Sequence, residues 1–306
     1  MRKITPLKTF FLVIILLAGL LCIDPGLHAQ DADSTASKKS IRKSRSSFDA
    51  AVDYQSNSVY LGRKDSTTLP YLIPMLTYNH KSGFYASLSA AYLKNSIASR
   101  IDLWTLESGY SFSAGKYSGD ITLSKYFYNA LSTSVTSEIT GGLSYRNSYN
   151  LGFIKPSVTA TWSMGTMSDF EGSFGLEHSF EFLNDNLELI PTFTANASSL
   201  NYYNNYYKSR KFSRRNKQKT VSGTVDITGT VLNASAFRIM DYEASLPVTY
   251  IAHKWAFSFT PVYAIPVNAA KTQIHYAYST GTIVDKLNVE KIGSSFYWTL
   301  GCSYRL

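Results

Sequence analysis

Residues 170–182, FEGSFGLEHSFEF, put Phe170, Gly172, Phe174, Leu176, His178, Phe180 and Phe182 on one side of an extended chain. Glu171, Ser173, Gly175, Glu177, Ser179 and Glu181 fall on the other. Period-2 alternation this strict places one face of a strand in an apolar medium and the other among polar groups. The run is longer than the about 9–11 residues that a tilted strand needs to cross a bilayer. The pattern recurs along the chain. FYASLSAAY sets Phe84, Leu88 and Tyr92 on one face, LELIPTFTANAS aligns Leu187, Leu189, Pro191 and Phe193, and VSGTVDITGTV aligns Val225, Ile227 and Val231. KWAFSFTPVYA aligns Trp255, Phe257, Phe259 and Tyr263, and the closing run SSFYWTLGCSYRL aligns Phe296, Trp298, Leu300, Cys302, Tyr304 and Leu306. Around 69–79 and 101–113 both faces hold apolar residues, and the alternation does not fix the register there.

A soluble sandwich would have to bury all these aromatic faces in one core. A closed barrel in lipid instead turns them outward and leaves no unpaired sheet edge in the hydrocarbon. The composition, with 23 Tyr and 17 Phe, suits strands that carry one lipid face and interfacial aromatics.

The N-terminus points to export. Arg2, Lys3 and Lys8 precede an apolar run over 10–21, followed by Pro25, Gly26 and a small residue at Ala29, the pattern of a secretory signal peptide over 1–29. Cys22 follows Leu21, where a lipoprotein signal wants a small side chain. Residues 30–47 are polar, with basic residues between Lys38 and Arg45, and read as a flexible periplasmic leader. The barrel is expected over 48–306. Beyond the signal Cys302 is the one cysteine, which excludes an internal disulfide and a cysteine-based zinc cluster. No later apolar run is long enough for a membrane helix.

Turn-like links at 79–83, 113–116, 145–150, 183–186, 232–235 and 252–254 alternate with links at 57–68, 129–133, 164–169, 199–219 and 267–290. Short turns on one rim and longer loops on the other are the arrangement of an up-and-down antiparallel transmembrane β-barrel. Counting the segments gives about 14 strands. If 234–252 forms a single element the count becomes 12, the main alternative.

FYWTLGCSYRL resembles the C-terminal signal by which bacterial outer-membrane β-barrel proteins are presented to the barrel-assembly machinery. Phe296, Trp298, Leu300 and Tyr304 match its alternation, and Leu306 stands where that family usually ends on Phe. With the AQ at 29–30 and the final GCSYRL, the chain also resembles uncharacterised single-barrel outer-membrane proteins of Bacteroidetes-type bacteria. The resemblance implies an integral outer-membrane location, contact with outer-membrane lipid and the assembly machinery, and a last strand that closes on the first near Phe48.

Alternation places Asp120, Glu138, Glu171, Glu177, Glu181, Glu188 and Asp226 on the lumen face, where they would line a pore and favour cations or form a polar core. The loop 200–219 combines tyrosines with cations. There Tyr206, Tyr207, Lys208, Arg210, Lys211, Arg214 and Arg215 are candidates for contact with lipopolysaccharide or surface glycans, the alternative being an interfacial tyrosine girdle beside a solvated basic loop. Interleaved aromatics and cations also suit single-stranded nucleic acid, but an exported barrel makes that partner unexpected. His80 and His253 fall in turns. His178 lies on the apolar face, where an outer-membrane hydrolase would place a Ser/His pair, and no serine motif accompanies it. No phosphate-binding loop, dinucleotide fingerprint, HExxH or calcium loop occurs. No cofactor, metal site or catalytic residue is expected. The sequence favours a small channel or transporter, then a non-conducting barrel with binding loops, and lastly a hydrolase.

Overall fold

The structure is a computed structural model that describes residues 46–64, 68–94, 99–132, 134–206, 218–220 and 223–306. The chain begins with β1 (Ser47–Gln55), a small hairpin of β2 (Val59–Tyr60) and β3 (Arg63–Lys64), and then β4 (Tyr71–Asn79), β5 (Phe84–Lys94), β6 (Ser99–Ala114) and β7 (Tyr117–Tyr128). A 3-10 turn at Val135–Glu138 leads into β8 (Ile139–Tyr149), β9 (Lys155–Gly165), β10 (Asp169–Glu177), β11 (Phe180–Phe182), β12 (Leu187–Leu189) and β13 (Thr192–Ser198). A short helix α1 (Asn201–Tyr206) precedes β14 (Gln218–Thr220), β15 (Gly223–Val231), β16 (Arg238–Ser245) and β17 (Val248–Ala252). The chain closes with β18 (Trp255–Pro266), β19 (Lys271–Tyr278), β20 (Ile283–Val289) and β21 (Ser295–Arg305). The proposed signal peptide and nearly all of the leader lie outside the described residues.

The main sheet is antiparallel and closed. It runs β1-β4-β5-β6-β7-β8-β9-β10-β13-β16-β18-β21, and β21 pairs back onto β1. β11, β12 and β17 are the far ends of β10, β13 and β16, and a proline of the neighbouring strand lies opposite each break. His178 N–H donates to Pro191 O (3.3 Å), Ile190 N–H to Pro247 O (2.9 Å) and Leu246 N–H to Pro261 O (3.2 Å). Proline has no N–H to return, so one ladder bond is missing at each site. The register survives the breaks: Leu176 faces Phe193 and Phe180 faces Leu189, while Ser245 faces Val262 and Val248 faces Phe259. The wall therefore has 12 strands, the alternative count.

The two surplus strands of the higher count have specific origins. The segment 238–252 is a single wall strand interrupted at Pro247. The segment VSGTVDITGTV contributes β15 to a separate sheet, β14-β15-β19-β20, that stands on the long-loop rim. Its alternation is real, but Ile227 and Val231 pack into a core there rather than facing lipid. The LNAS turn at 232–235 accordingly lies at the long-loop rim instead of among the short turns. The single strand expected over 170–182 is likewise divided at His178–Ser179.

Outward-facing side chains form an apolar belt around the wall. Leu72, Leu76, Phe84, Leu88, Leu106, Leu123, Trp162, Phe174, Phe193, Phe257 and Leu300 are all exposed. Aromatic pairs mark its short-turn edge, with Phe48 on Tyr78 and Phe84 on Tyr110 at 4.8 Å and Trp255 on Tyr304 at 4.7 Å. Lys254 sits 5.6 Å from the Tyr304 ring, where an ammonium reaches interfacial water. A closed sheet with a continuous apolar exterior is soluble only in a bilayer, and the protein is an integral outer-membrane β-barrel.

Closure fixes the two ends of the chain together. β1 and β21 pair from Asp49 with Arg305 to Gln55 with Thr299. The Arg305 guanidinium donates to both Asp49 oxygens (2.8 and 3.3 Å), and the Leu306 N–H reaches Phe48 O (2.9 Å). Of the proposed assembly-signal residues, Phe296, Leu300 and Leu306 are exposed and Trp298 and Tyr304 half-buried. Deleting 304–306 removes the end of this seam, and the truncated chain is expected to lose the heat-modifiable folded band on gels. A normal folded band would show that the seam is dispensable.

Candidate functional site

The lumen face is built from the alternate residues that the belt leaves behind. Asp120, Arg146, Thr159, Ser173, Asn196 and Asp241 are successive cross-strand partners from β7 to β16, a polar band across half the wall. Hydroxyls serve most of its carboxylates. Asp120 accepts from Ser111 Oγ (2.5 Å), Tyr85 Oη (3.0 Å) and Thr122 Oγ1 (2.6 Å). Tyr85 reaches Asp120 across Gly109, where a Cβ would lie 2.4 Å from the phenol. Glu107 accepts from Ser124 Oγ (2.9 Å) and Glu171 from Ser163 Oγ (2.5 Å). Glu188 accepts from Ser179 Oγ (2.5 Å). Glu177 differs, because Lys155 Nζ (2.5 Å) and Arg146 (3.6 Å) both pair with it.

The carboxylates named from the sequence thus divide. Asp120, Glu171, Glu177 and Glu188 lie on the inner face. Glu181 is exposed near the short-turn rim, opposite Glu188. Glu138 belongs to the 3-10 turn at the long-loop rim, where strand parity does not apply. Asp226 is on β15, outside the wall, and exposed. Other inner-face charges escaped the sequence reading: Asp49, Asp53, Glu107, Asp241, Glu243 and Arg305. Among the described inner-face residues of the wall, acidic groups outnumber the basic Arg100, Arg146, Lys155 and Arg305.

The loop after β1 turns inward. Leu61 (φ 50°) and Gly62 (φ 69°) form the tight turn of the β2–β3 hairpin, a conformation that favours glycine at the second position. Leu61 lines a small cavity of about 70 Å³ with Thr159, Thr161, Glu171, Ser173 and Asn196 of the wall. Gly62 packs against Asp241 so closely that a Cβ would meet the Asp241 Cβ at 2.8 Å. Arg63 holds the hairpin in place. Its Nε pairs with Glu290 (3.2 Å), and its terminal nitrogens donate to the carbonyls of Leu61 (2.8 Å), Met240 (3.3 Å) and Val267 (3.1 Å). From the sequence, 57–68 is expected as a single undivided loop. Gly62 between the Val59–Tyr60 and Arg63–Lys64 pairs was the available signal.

Above the hairpin an apolar core lies across the long-loop mouth. Tyr60 packs edge-on against Tyr202 at 5.4 Å, with Leu200, Ile227, Val231, Met240 and Ala270 around them. Asp169 fixes α1 by accepting from the backbone N–H groups of Asn201 (2.8 Å) and Tyr202 (2.7 Å). Burial raises the Tyr60 and Tyr202 phenols well above their ordinary pKa, and the Glu171 carboxylate raises both further. Tyr202 and Tyr203 are therefore cap residues, not the expected membrane girdle. Tyr206 ends α1, while Tyr207, Lys208, Arg210, Lys211, Arg214 and Arg215 lie outside the described residues. His178 packs edge-on against Phe180 at 4.4 Å. Its neighbour Ser179 instead bonds Glu188, a partner within the lumen-face set.

No protein-family model and no curated protein matches the sequence. Among solved structures, the NanC porin matches over 85% of this chain and 100% of its own, at 10% identity and a TM-score of 0.46. The KdgM porin matches over 84% and 98%, at 8% identity and a TM-score of 0.43. The outer membrane channel DcaP of Acinetobacter baumannii matches over 85% and 96%, at 9% identity and a TM-score of 0.31. Likeness of this degree is to barrel form in general and carries nothing about the solute.

Arg63→Ala should free the hairpin while the wall stays closed. Loss of a half-buried ion pair and its carbonyl bonds costs about 1–3 kcal/mol locally. Amide exchange at 59–64 is expected to accelerate with the heat-modifiable band unchanged. Unaltered exchange would mean that Arg63 does not hold the hairpin.

Proposed function

We propose that the barrel is a passive channel for small hydrophilic solutes, with a preference for cations. The excess of carboxylates over basic groups on the described lumen face supports this reading. In a confined low-dielectric passage such an excess raises local cation concentration. Many of these carboxylates accept bonds from neutral hydroxyls, which orient them without cancelling their charge. The inward hairpin narrows the passage at the level of Glu171 and Asp241, making these two the carboxylates nearest the constriction. The long loops face outward and the chain ends face the periplasm, as short turns at one rim suggest.

The cap over the long-loop mouth supports a second reading. In it the barrel does not conduct, and the long loops bind envelope components such as lipopolysaccharide or surface glycans, with the basic segment 206–215 as the contact. Planar-bilayer conductance of the purified protein separates the two readings, since only the channel conducts.

With both Glu107 and Glu171 changed to Gln, the wild-type cation preference should fall about twofold or more, read as a reversal potential under a salt gradient. An unchanged potential in a conducting protein would remove this face as the selectivity element. Glu177→Gln should behave differently. It leaves Lys155 and Arg146 without their shared partner and lowers the heat-modification temperature. Orientation has its own check: a tag inserted at Asn205 should be labelled on intact cells. Labelling only after outer-membrane permeabilisation would invert the assignment.

A further inference from the structure

A cavity of about 370 Å³ opens at the long-loop rim between the β15–β16 turn and the β18–β19 link. Its volume lies in the lower part of the range for small-molecule sites. Leu200, Met240 and Ala270 are buried members of the cap core and form its floor, and Leu287 of β20 forms an exposed wall. Two basic side chains, Arg238 and Lys271, also line it. Both are exposed, and neither has an ion-pair partner among the described residues. Among the described residues no carboxylate lines the cavity.

The lining narrows the kind of occupant. Arg238 pairs with buried Ser198, on the face opposite to Ile239, so the cavity opens at the rim and not onto the apolar belt. Its floor offers an apolar surface, and Arg238 and Lys271 offer positive charge at the mouth. A neutral lipid would leave both cations unused, and a small inorganic anion would leave the apolar floor unused. We infer that the cavity binds a single-chain anionic amphiphile, an alkyl carboxylate of medium length, with its head on Arg238 and Lys271 and its chain over Leu200 and Met240.

The site is separate from the lumen and does not depend on whether the barrel conducts. The test uses the full chain in nanodiscs of neutral phosphatidylcholine and a decanoate carrying a photoactivatable diazirine near the chain end. Cross-links are mapped by mass spectrometry, with decanoate, decanol and acetate as competitors. The proposal expects labelling within 232–240 and 269–287, competed by decanoate and not by decanol or acetate. Changing Arg238 and Lys271 together to Ala should raise the competing concentration of decanoate about tenfold or more, with heat modification unchanged. Both side chains are exposed, so the wall does not depend on them. Equal competition by decanol would show an apolar patch only. Equal competition by acetate would show an anion patch only. Labelling confined to the belt, in a correctly folded wild type, would show no site. Each of these three results overturns the proposal.

Discussion

In hydrocarbon every backbone N–H and C=O must find a partner inside the protein, and for a sheet this means that the last strand must meet the first. The pairing of β1 with β21 satisfies that demand, and it fixes the register of everything between. Once Asp49 faces Arg305 and each neighbour follows in antiparallel register, the inner or outer sense of each wall side chain is set. The apolar belt and the polar lumen are two faces of one decision. A slip of one residue anywhere would exchange them.

A barrel of this kind has no apolar centre. Its lumen is held by hydroxyl-to-carboxylate bonds such as the three around Asp120, and its compact hydrophobic core lies at one end. That core is assembled from loops: Tyr60 from the first, Tyr202 from α1, Ile227 and Val231 from β15. Arg63 connects these pieces by pairing with Glu290 and donating to carbonyls of the wall and the β18–β19 link. The same hairpin that narrows the lumen is thus also an anchor of the cap. A movement of the hairpin that widens the lumen has therefore to disturb the cap as well.

Much of the wall was legible in the sequence. Lipid on one side and polar groups on the other write a period of two into a strand, and the runs around 84–92, 255–263 and 296–306 fall where that period places them. The segment 221–231 shows the limit of the signal. A strand with one face on a buried loop core and the other in water alternates exactly as a lipid-facing strand does, so pairing partners alone could tell them apart. Asp226 was misplaced for that reason, and Glu138 because it follows a turn rather than a strand. Asp241, Glu243 and Glu107 sat in runs whose parity was ambiguous or whose strand was divided. The inward hairpin escaped because its partners, Asp241 and Glu290, are far away along the chain.

The prolines at 191, 247 and 261 lie on successive strands, each opposite the break in its neighbour. Together they trace a diagonal along which the ladder lacks one bond per strand pair, while the register on either side stays the same. Elsewhere the interruptions are single and scattered, at Pro74 and at three bulges, and do not line up across neighbouring strands. Mechanically this diagonal is a crease. The wall beyond it, carrying β11, β12 and β17, can bend against the rest without any strand having to slide.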